Sequence, residues 1–258
     1  MIAYKSDDEV KKLREAGRLV ANALHAVREA AAPGVTLGEL DAIAEKVITD
    51  AGATPAFKGY LPHFSATPFP GTICSSVNDA IVHGIPDDTV LAEGDLLSVD
   101  CGCHLNGWTG DAAFSMIIGG DDAGRPEDRK LMETTREALR VGIEQAKPGN
   151  RMGDIAAAIE EVVRGNGYGM PQGWGGHGIG REMHEDPSVP NGGLPAGKGM
   201  KLKKGLVICI EPMLHIGGDD HVIDPDGWTV RTSDGTRAAH EEHMVAITAD
   251  GPEILSLR

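Results

Sequence analysis

Long apolar runs are missing from this sequence. No stretch approaches the roughly 18 residues that a membrane-spanning helix needs, so none is expected. The opening MIAYKSDDEVKKLREAG has no apolar core ahead of a cleavage site and does not read as a secretory signal. Cysteine is scarce. Cys74, Cys101, Cys103 and Cys209 form no CxxC pair, and no spacing among them suggests a zinc site. Reduced thiols in a cytoplasmic protein are the expectation. Positive charge is in deficit, with 24 Lys and Arg against 39 Asp and Glu, a formal net charge of −15. An acidic surface argues against nonspecific contact with nucleic acid or an anionic membrane, because both are polyanions.

Glycine is what the chain has in quantity, 35 of 258 residues, which points to many tight turns. The hydrophobic share of 41% and charged share of 24% are ordinary for a soluble globular protein. The length is ample for one large core and permits one or two domains.

The second half echoes the first. APGVTLGELDAIAEKVITDAG (32–52) aligns with KPGNRMGDIAAAIEEVVRGNG (147–167), so that Pro33-Gly34 meets Pro148-Gly149 and Gly52 meets Gly167. Both read as a turn followed by an amphipathic helix that ends at a glycine. Downstream, LAEGDLLSVD (91–100) matches LKKGLVICIE (202–211). Each is a Gly turn, an apolar run of strand length, and an acid where the run ends. A helix ahead of each unit, roughly 7–31 and 126–146, completes a duplicated helix–helix–strand pattern. The chain is expected to form a single domain over 1–258, with halves at roughly 7–120 and 126–250. Two such halves bury their strand faces best in one shared sheet with helices outside. That arrangement draws Asp100 and Glu211 toward a common centre.

More acids join them. Asp111 follows Asp100 after the turn-rich HLNGWTG, which reads as a hairpin with one acid on each arm. In GWGGHGIGREMHEDP (173–187), His177 and His184 have helical spacing, but five glycines make a helix improbable. Glycines there fit a backbone that approaches a ligand or another strand. Glu211 precedes Pro212, so it ends its strand, and a buried carboxylate there is costly unless paired or bound to metal. Glu242 precedes the apolar MVAIT, and its neighbour Glu241 points to the opposite face. Four carboxylates and one imidazole make a hard, oxygen-rich set that suits Mn²⁺, Fe²⁺ or Co²⁺. Two divalent ions would balance four negative charges and could hold a hydroxide between them as nucleophile.

The ordered set Asp100, Asp111, His177, Glu211 and Glu242 resembles the five ligands of methionine aminopeptidases and their pita-bread-fold relatives. VNDAIVHGIPDD (77–88), GDLLSVDCG (94–102), GHGIGREMHEDP (176–187), IEPM (210–213), DGWTVRT (226–232) and EEHMVAIT (241–248) are similar to segments of the type I enzymes. The resemblance runs from about residue 7 to the end.

It implies an α/β (α+β) pita-bread fold, with pseudo-twofold halves around a curved, mostly antiparallel sheet. It also implies removal of the initiator methionine from nascent proteins, with preference for a small second residue. Asp100 would chelate one metal, Asp111 and Glu242 would bridge both, and His177 and Glu211 would complete the second site. Cobalt, manganese and iron are the leading ions, with zinc and nickel as further candidates. Glu211 would relay a proton, His83 would position the amide nitrogen, and His184 would polarise the carbonyl. Alone, His83 reads as a turn histidine before Gly84-Ile85-Pro86. Phe69, Cys74 and Trp228 match the methionine pocket, and Met183 stands where an aromatic residue is frequent. Tyr60 lies in a longer stretch, FKGYLPHFSATPFPG (57–71), as a candidate pocket residue, and His63 reads as a loop histidine.

A bacterial form is expected, since no cysteine-rich N-terminal extension is present. The spacing from His184 to Glu211 leaves no room for the insertion of the type II enzymes. An X-Pro aminopeptidase or dipeptidase is the alternative within the fold, and a metal-free binding module is the alternative outside enzymes. The family suggests a monomer in the cytoplasm that meets nascent polypeptides at the ribosome. Lys198, Lys201, Lys203 and Lys204 are the one local basic stretch available for that contact, and membrane and specific nucleic acid are not expected partners.

Overall fold

A computed structural model describes residues 2–62 and 65–258, so His63 lies outside the described residues. Four helices carry the duplication: α1 (Asp7–Ala30), α2 (Leu37–Asp50), α3 (Pro126–Gln145) and α4 (Met152–Gly165). Their starts are written locally. The Ser6 and Thr36 hydroxyls accept the N–H of Glu9 and Glu39, whose carboxylates accept the cap N–H in return. Pro126 opens α3, where a missing N–H costs nothing. Past the ends of α2 and α4, Gly52 and Gly167 adopt φ of 75° and 76°, a conformation that suits glycine. The repeat is therefore visible in the backbone, and both helix pairs begin and end close to the positions the sequence predicts.

The strands of the first half are β1 (Thr54–Pro55), β2 (Ile73–Val77), β3 (Ala80–Val82), β4 (Leu96–Leu105) and β5 (Trp108–Ile117). Those of the second are β6 (Gly175–Gly178), β7 (Glu185–Pro190), β8 (Val207–Ile210), β9 (Met213–His215), β10 (His221–Ile223), β11 (Val230–Thr232), β12 (Ala238–His240), β13 (Glu242–Thr248) and β14 (Gly251–Ile254). The main sheet is curled and antiparallel, in the order β1-β4-β5-β13-β8-β6-β7, with β2 beside β4 and β14 beside β13. The pair β5 and β13 forms the seam, with β4 and β8 outside it on either side. That is the pseudo-twofold arrangement expected from matching the β4 and β8 segments.

Each half has its own core. Leu40 and Ile48 of α2 pack with Leu97 and Val99 of β4, while Ile155 and Ile159 of α4 pack with Ile208 and Ile210 of β8. Each of these buried side chains contributes about 1.5–3 kcal/mol through the water it excludes. Alternation along β4 sends Leu97 and Val99 to the helices and Asp100 to the other face. On β5, Gly110 faces α1, and a Cβ there would lie 2.5 Å from the Ala16 carbonyl oxygen. The helix thus presses on the strand behind Asp111.

One expectation needs correction. Asp100 does not end its strand, because β4 continues through Cys101, Gly102 and Cys103, each paired with β5. Its counterpart β8 stops at Ile210, one residue before Glu211, because Pro212 offers no N–H to a continuing ladder.

Candidate metal centre

Asn106-Gly107 joins β4 to β5 as a two-residue turn, with φ of 51° and 76°, and fixes the hairpin register. Gly102 pairs with Asp111 and Asp100 with Ala113, so the two acids are diagonal neighbours on one face. Across the seam, Glu242 pairs with the same Ala113 and joins that face. Cys209 pairs with Met244, two residues on from Glu242, and Glu211 follows at the end of β8. His177 arrives on β6. That strand closes on β8 only because residue 176 is glycine: a Cβ there would lie 2.1 Å from the Cys209 carbonyl oxygen. All five predicted ligands line one cavity of about 250 Å³.

The electrostatics call for cations. Asp100 Oδ1, Asp111 Oδ1 and Glu242 Oε1 are buried with no hydrogen-bond partner. Burial, and then mutual repulsion, pushes Asp100, Glu211 and Glu242 well above the usual carboxylate range. Burial also pushes Asp111 up, to about 7. His177 makes the same point. Its Nδ1 lies 3.0 Å from the Gly178 carbonyl oxygen, so Nδ1 carries the proton and Nε2 presents a lone pair. Burial holds the ring's pKa near 4, so it is neutral at ordinary pH. Nε2 lies 3.5 Å from Asp111 Oδ2 and 3.5 Å from Glu211 Oε1. Lone pairs that face one another across such a gap are relieved by a proton or by a metal cation between them. The donor set, mostly carboxylate oxygen with one imidazole, suits divalent metal. Asp111, His177, Cys209 and Glu242 offer ligand atoms within 4.8 Å of one another.

The other predicted residues surround this centre. His83 adopts φ of 60°, a left-handed conformation uncommon outside glycine. Next to it, a Cβ on Gly84 would lie 2.2 Å from the Ser75 carbonyl oxygen, so glycine is required there. The His83 ring meets Trp174 and Trp228 edge-on, at 5.1 and 6.2 Å between centroids. His184 lies against His177 at 4.2 Å between centroids with the rings tilted by 53°, and its Nδ1 lies 2.9 Å from the Tyr60 hydroxyl. Burial lowers the pKa of His83 to about 4 and of His184 to about 3. Phe69, Cys74 and Trp228 form a buried apolar cluster, against which Tyr60 packs. Asp226 accepts the Trp228 and Thr229 N–H groups and so shapes the turn that delivers Trp228.

Met183 is the exception among the predicted pocket residues. It does not line the cavity; its methyl lies over Gly102 on the ligand face beside Phe57, packed with Trp108 and Ala56. Phe57 stands in the wall, packed against the Phe69 cluster. Sequence reasoning also passed over Cys209 and His240. Each lies two residues before a predicted ligand, Glu211 and Glu242, and the alternation that turns Glu241 away puts both on the ligand face. Glu241 does turn away, accepting from Arg136 and from the Ser115 N–H.

Comparison with known proteins agrees with this geometry. The profile described as metallopeptidase family M24 matches residues 11–249. Methionine aminopeptidase 1 of Mycobacterium tuberculosis is 49% identical over 265 residues, covering 100% of this chain and 96% of its own length. Methionine aminopeptidase of Aquifex aeolicus is 47% identical, covering 99% and 98%. The crystal structure of methionine aminopeptidase from Thermotoga maritima superposes with a TM-score of 0.94 at 40% identity, over 100% of both chains. The prolidase of Pyrococcus horikoshii, at 24% identity and a TM-score of 0.76, covers 98% of this chain and 63% of its own, and shares the fold alone. By profile, by sequence and by fold, the chain belongs to the methionine aminopeptidases of metallopeptidase family M24.

Proposed function

We propose that the chain removes N-terminal methionine from nascent polypeptides at a centre of two divalent ions, with preference for a small second residue. The observation that carries this reading is the ring of orphaned carboxylate oxygens and the His177 lone pair, set against an apolar pocket of Phe69, Cys74 and Trp228. Asp100, Asp111, His177, Glu211 and Glu242 would hold the ions. When bound, the ions supply Lewis acidity to the scissile carbonyl and lower the pKa of water. Cobalt, manganese and iron fit the hard donor set best.

The remaining work falls to side chains. Glu211 accepts the proton of the attacking water and returns it to the departing nitrogen. With the Tyr60 hydroxyl donating to Nδ1, the neutral His184 keeps an Nε2–H to stabilise charge on the carbonyl oxygen. His83, held by its left-handed backbone, positions the amide nitrogen. Phe69, Cys74 and Trp228 enclose the thioether chain. A cavity of about 250 Å³ lies below the usual range of roughly 300–1,000 Å³ for ligand pockets, which leaves little space beyond methionine itself.

In this reading the enzyme works as a cytoplasmic monomer on chains leaving the ribosome. Among the described residues no helix is long and apolar enough to cross a membrane. Lys198, Lys201 and Lys203 are exposed, while Lys204 pairs with Asp7 at 2.9 Å, so the basic stretch keeps charge for a polyanionic partner.

The deciding experiment is release of free methionine from Met-Ala-Ser by metal-reconstituted protein, with Ala-Pro-Ala and Met-Leu-Ser for comparison and Glu211→Gln as control. Release that needs added metal and Glu211, and that fails on Met-Leu-Ser, supports the proposal. Cleavage of Ala-Pro-Ala alone would move the assignment to an X-Pro peptidase.

A further inference from the structure

His240 lies outside the five proposed ligands, yet the fold aims it at them. It ends β12, where it pairs with Met213 of β9. Ser115 grips its backbone from both sides: the His240 N–H donates to Ser115 Oγ at 3.0 Å, and Ser115 Oγ donates to the His240 carbonyl at 2.8 Å. Ser98 Oγ, 2.8 Å away, completes the serine's hydrogen bonds. The side chain is 2% exposed, and Nε2 has no hydrogen-bond partner. That nitrogen lies 3.7 Å from Glu211 Oε2 and 4.0 Å from Glu242 Oε2. Glu211 is thus flanked by two imidazoles, with His177 facing Oε1 and His240 facing Oε2.

His240 also offers Nε2 within 4.8 Å of ligand atoms of Glu211 and Glu242, so its part turns on which ring nitrogen carries the proton. His177 presents a lone pair to the cavity because its Nδ1–H is used on the Gly178 carbonyl. His240 sits on the far side of the Glu211 carboxylate, where a ring N–H has an acceptor within a small side-chain rotation. Carboxylates that bind metal are commonly held in turn by such a donor, which frees the other oxygen for the ion.

We propose that His240 is a positioning residue of the metal centre, whose Nε2–H holds Glu211 Oε2 and Glu242 Oε2 so that their remaining oxygens face the ions. This rests on the metal-binding reading above.

The test compares wild type, His240→Leu and His240→Gln. Affinity for Mn²⁺ is measured by competition with a fluorescent chelator, and the visible spectrum is recorded with Co²⁺. Leucine keeps the volume and removes the donor; glutamine keeps a donor. Expected is a roughly 10- to 100-fold loss of Mn²⁺ affinity in His240→Leu. His240→Gln should recover most of it, with a Co²⁺ spectrum like that of wild type. Equal affinity in wild type and His240→Leu would overturn the role. So would a His240→Gln protein that binds as weakly as His240→Leu and shows an altered Co²⁺ spectrum, since that would make His240 a direct ligand. If the leucine variant does not fold, glutamine decides alone: retained affinity and spectrum support the role, and loss of either overturns it. Wild-type protein that binds neither ion would instead remove the metal reading beneath the proposal.

Discussion

His177 Nε2 and Glu211 Oε1 face one another at 3.5 Å, lone pair to lone pair. This contact gains energy when a proton or a metal cation lies between the two. Replacing His177 with Leu keeps the side-chain bulk and removes the donor. Metal content measured by mass spectrometry should drop, and methionine release should fall by more than about 100-fold, beyond what loss of a merely supporting residue costs. Retained metal and activity would rule His177 out as a ligand.

The metal-free protein carries a built-in strain that pH tunes. Burial raises the folded-state pKa of Glu242, and that of Asp111 to about 7. The folded state then binds more protons than the unfolded one. Stability from these groups is fully present below the ordinary carboxylate pKa and is lost as pH rises through the folded value. Above about pH 7, where the buried histidines of the site are neutral in both states, melting temperature after chelation should therefore fall with rising pH by more than that of the metal-loaded protein. Glu242→Gln removes one repelling charge, so its metal-free form should melt higher than wild type at pH 8. A variant that melts lower would show that the carboxylates are not in conflict.

Tyr60→Phe tests how His184 is oriented. The change removes the hydroxyl 2.9 Å from Nδ1 and leaves the ring contact at 5.3 Å. A neutral hydrogen bond of this kind is worth about 1 kcal/mol, so methionine release should slow by roughly 3- to 10-fold in kcat with KM little changed. A rise in KM alone would make Tyr60 a pocket wall and nothing more.

Gly84→Ala probes the backbone that presents His83. The new methyl would meet the Ser75 carbonyl oxygen at 2.2 Å, and main chain cannot yield as a flexible side chain does. Strand β2 and the His83 loop would have to separate. A stability loss of about 1–3 kcal/mol by denaturant titration, with a larger proportional loss of activity, is expected. An unchanged protein would mean that this close approach is not needed.

The sequence was most informative where pattern and covalent structure act together. The Pro-Gly turns at 33–34 and 148–149, the helical periodicity and the closing glycines at 52 and 167 mark the second helix of each pair locally, so the repeat is legible. Asp100 and Asp111 read as opposite arms of a hairpin because HLNGWTG between them is rich in turn residues. That Asp100 sits within its strand was masked by the acid and by Gly102, which interrupt the apolar run although Cys101 and Cys103 continue it into the core. Matching a position does not say where the flexible Met183 side chain turns; it settles over Gly102, at the edge of the cavity rather than in its lining. His240 and Cys209 could have been found. The alternation that set Glu241 aside puts residues 240 and 209 beside the ligands, but neither residue type looks purposeful until its neighbours are known.

The seam between β5 and β13 divides the ligand set. Asp100 and Asp111 come from the half built on α1 and α2, while His177, Glu211 and Glu242 come from the half built on α3 and α4. An ion held there is a rivet across the seam between the two halves of one sheet. Its departure removes a cross-link that spans more than a hundred residues of chain, and that loosening should register as faster amide hydrogen exchange along β5 and β13 while the outer helices keep their protection.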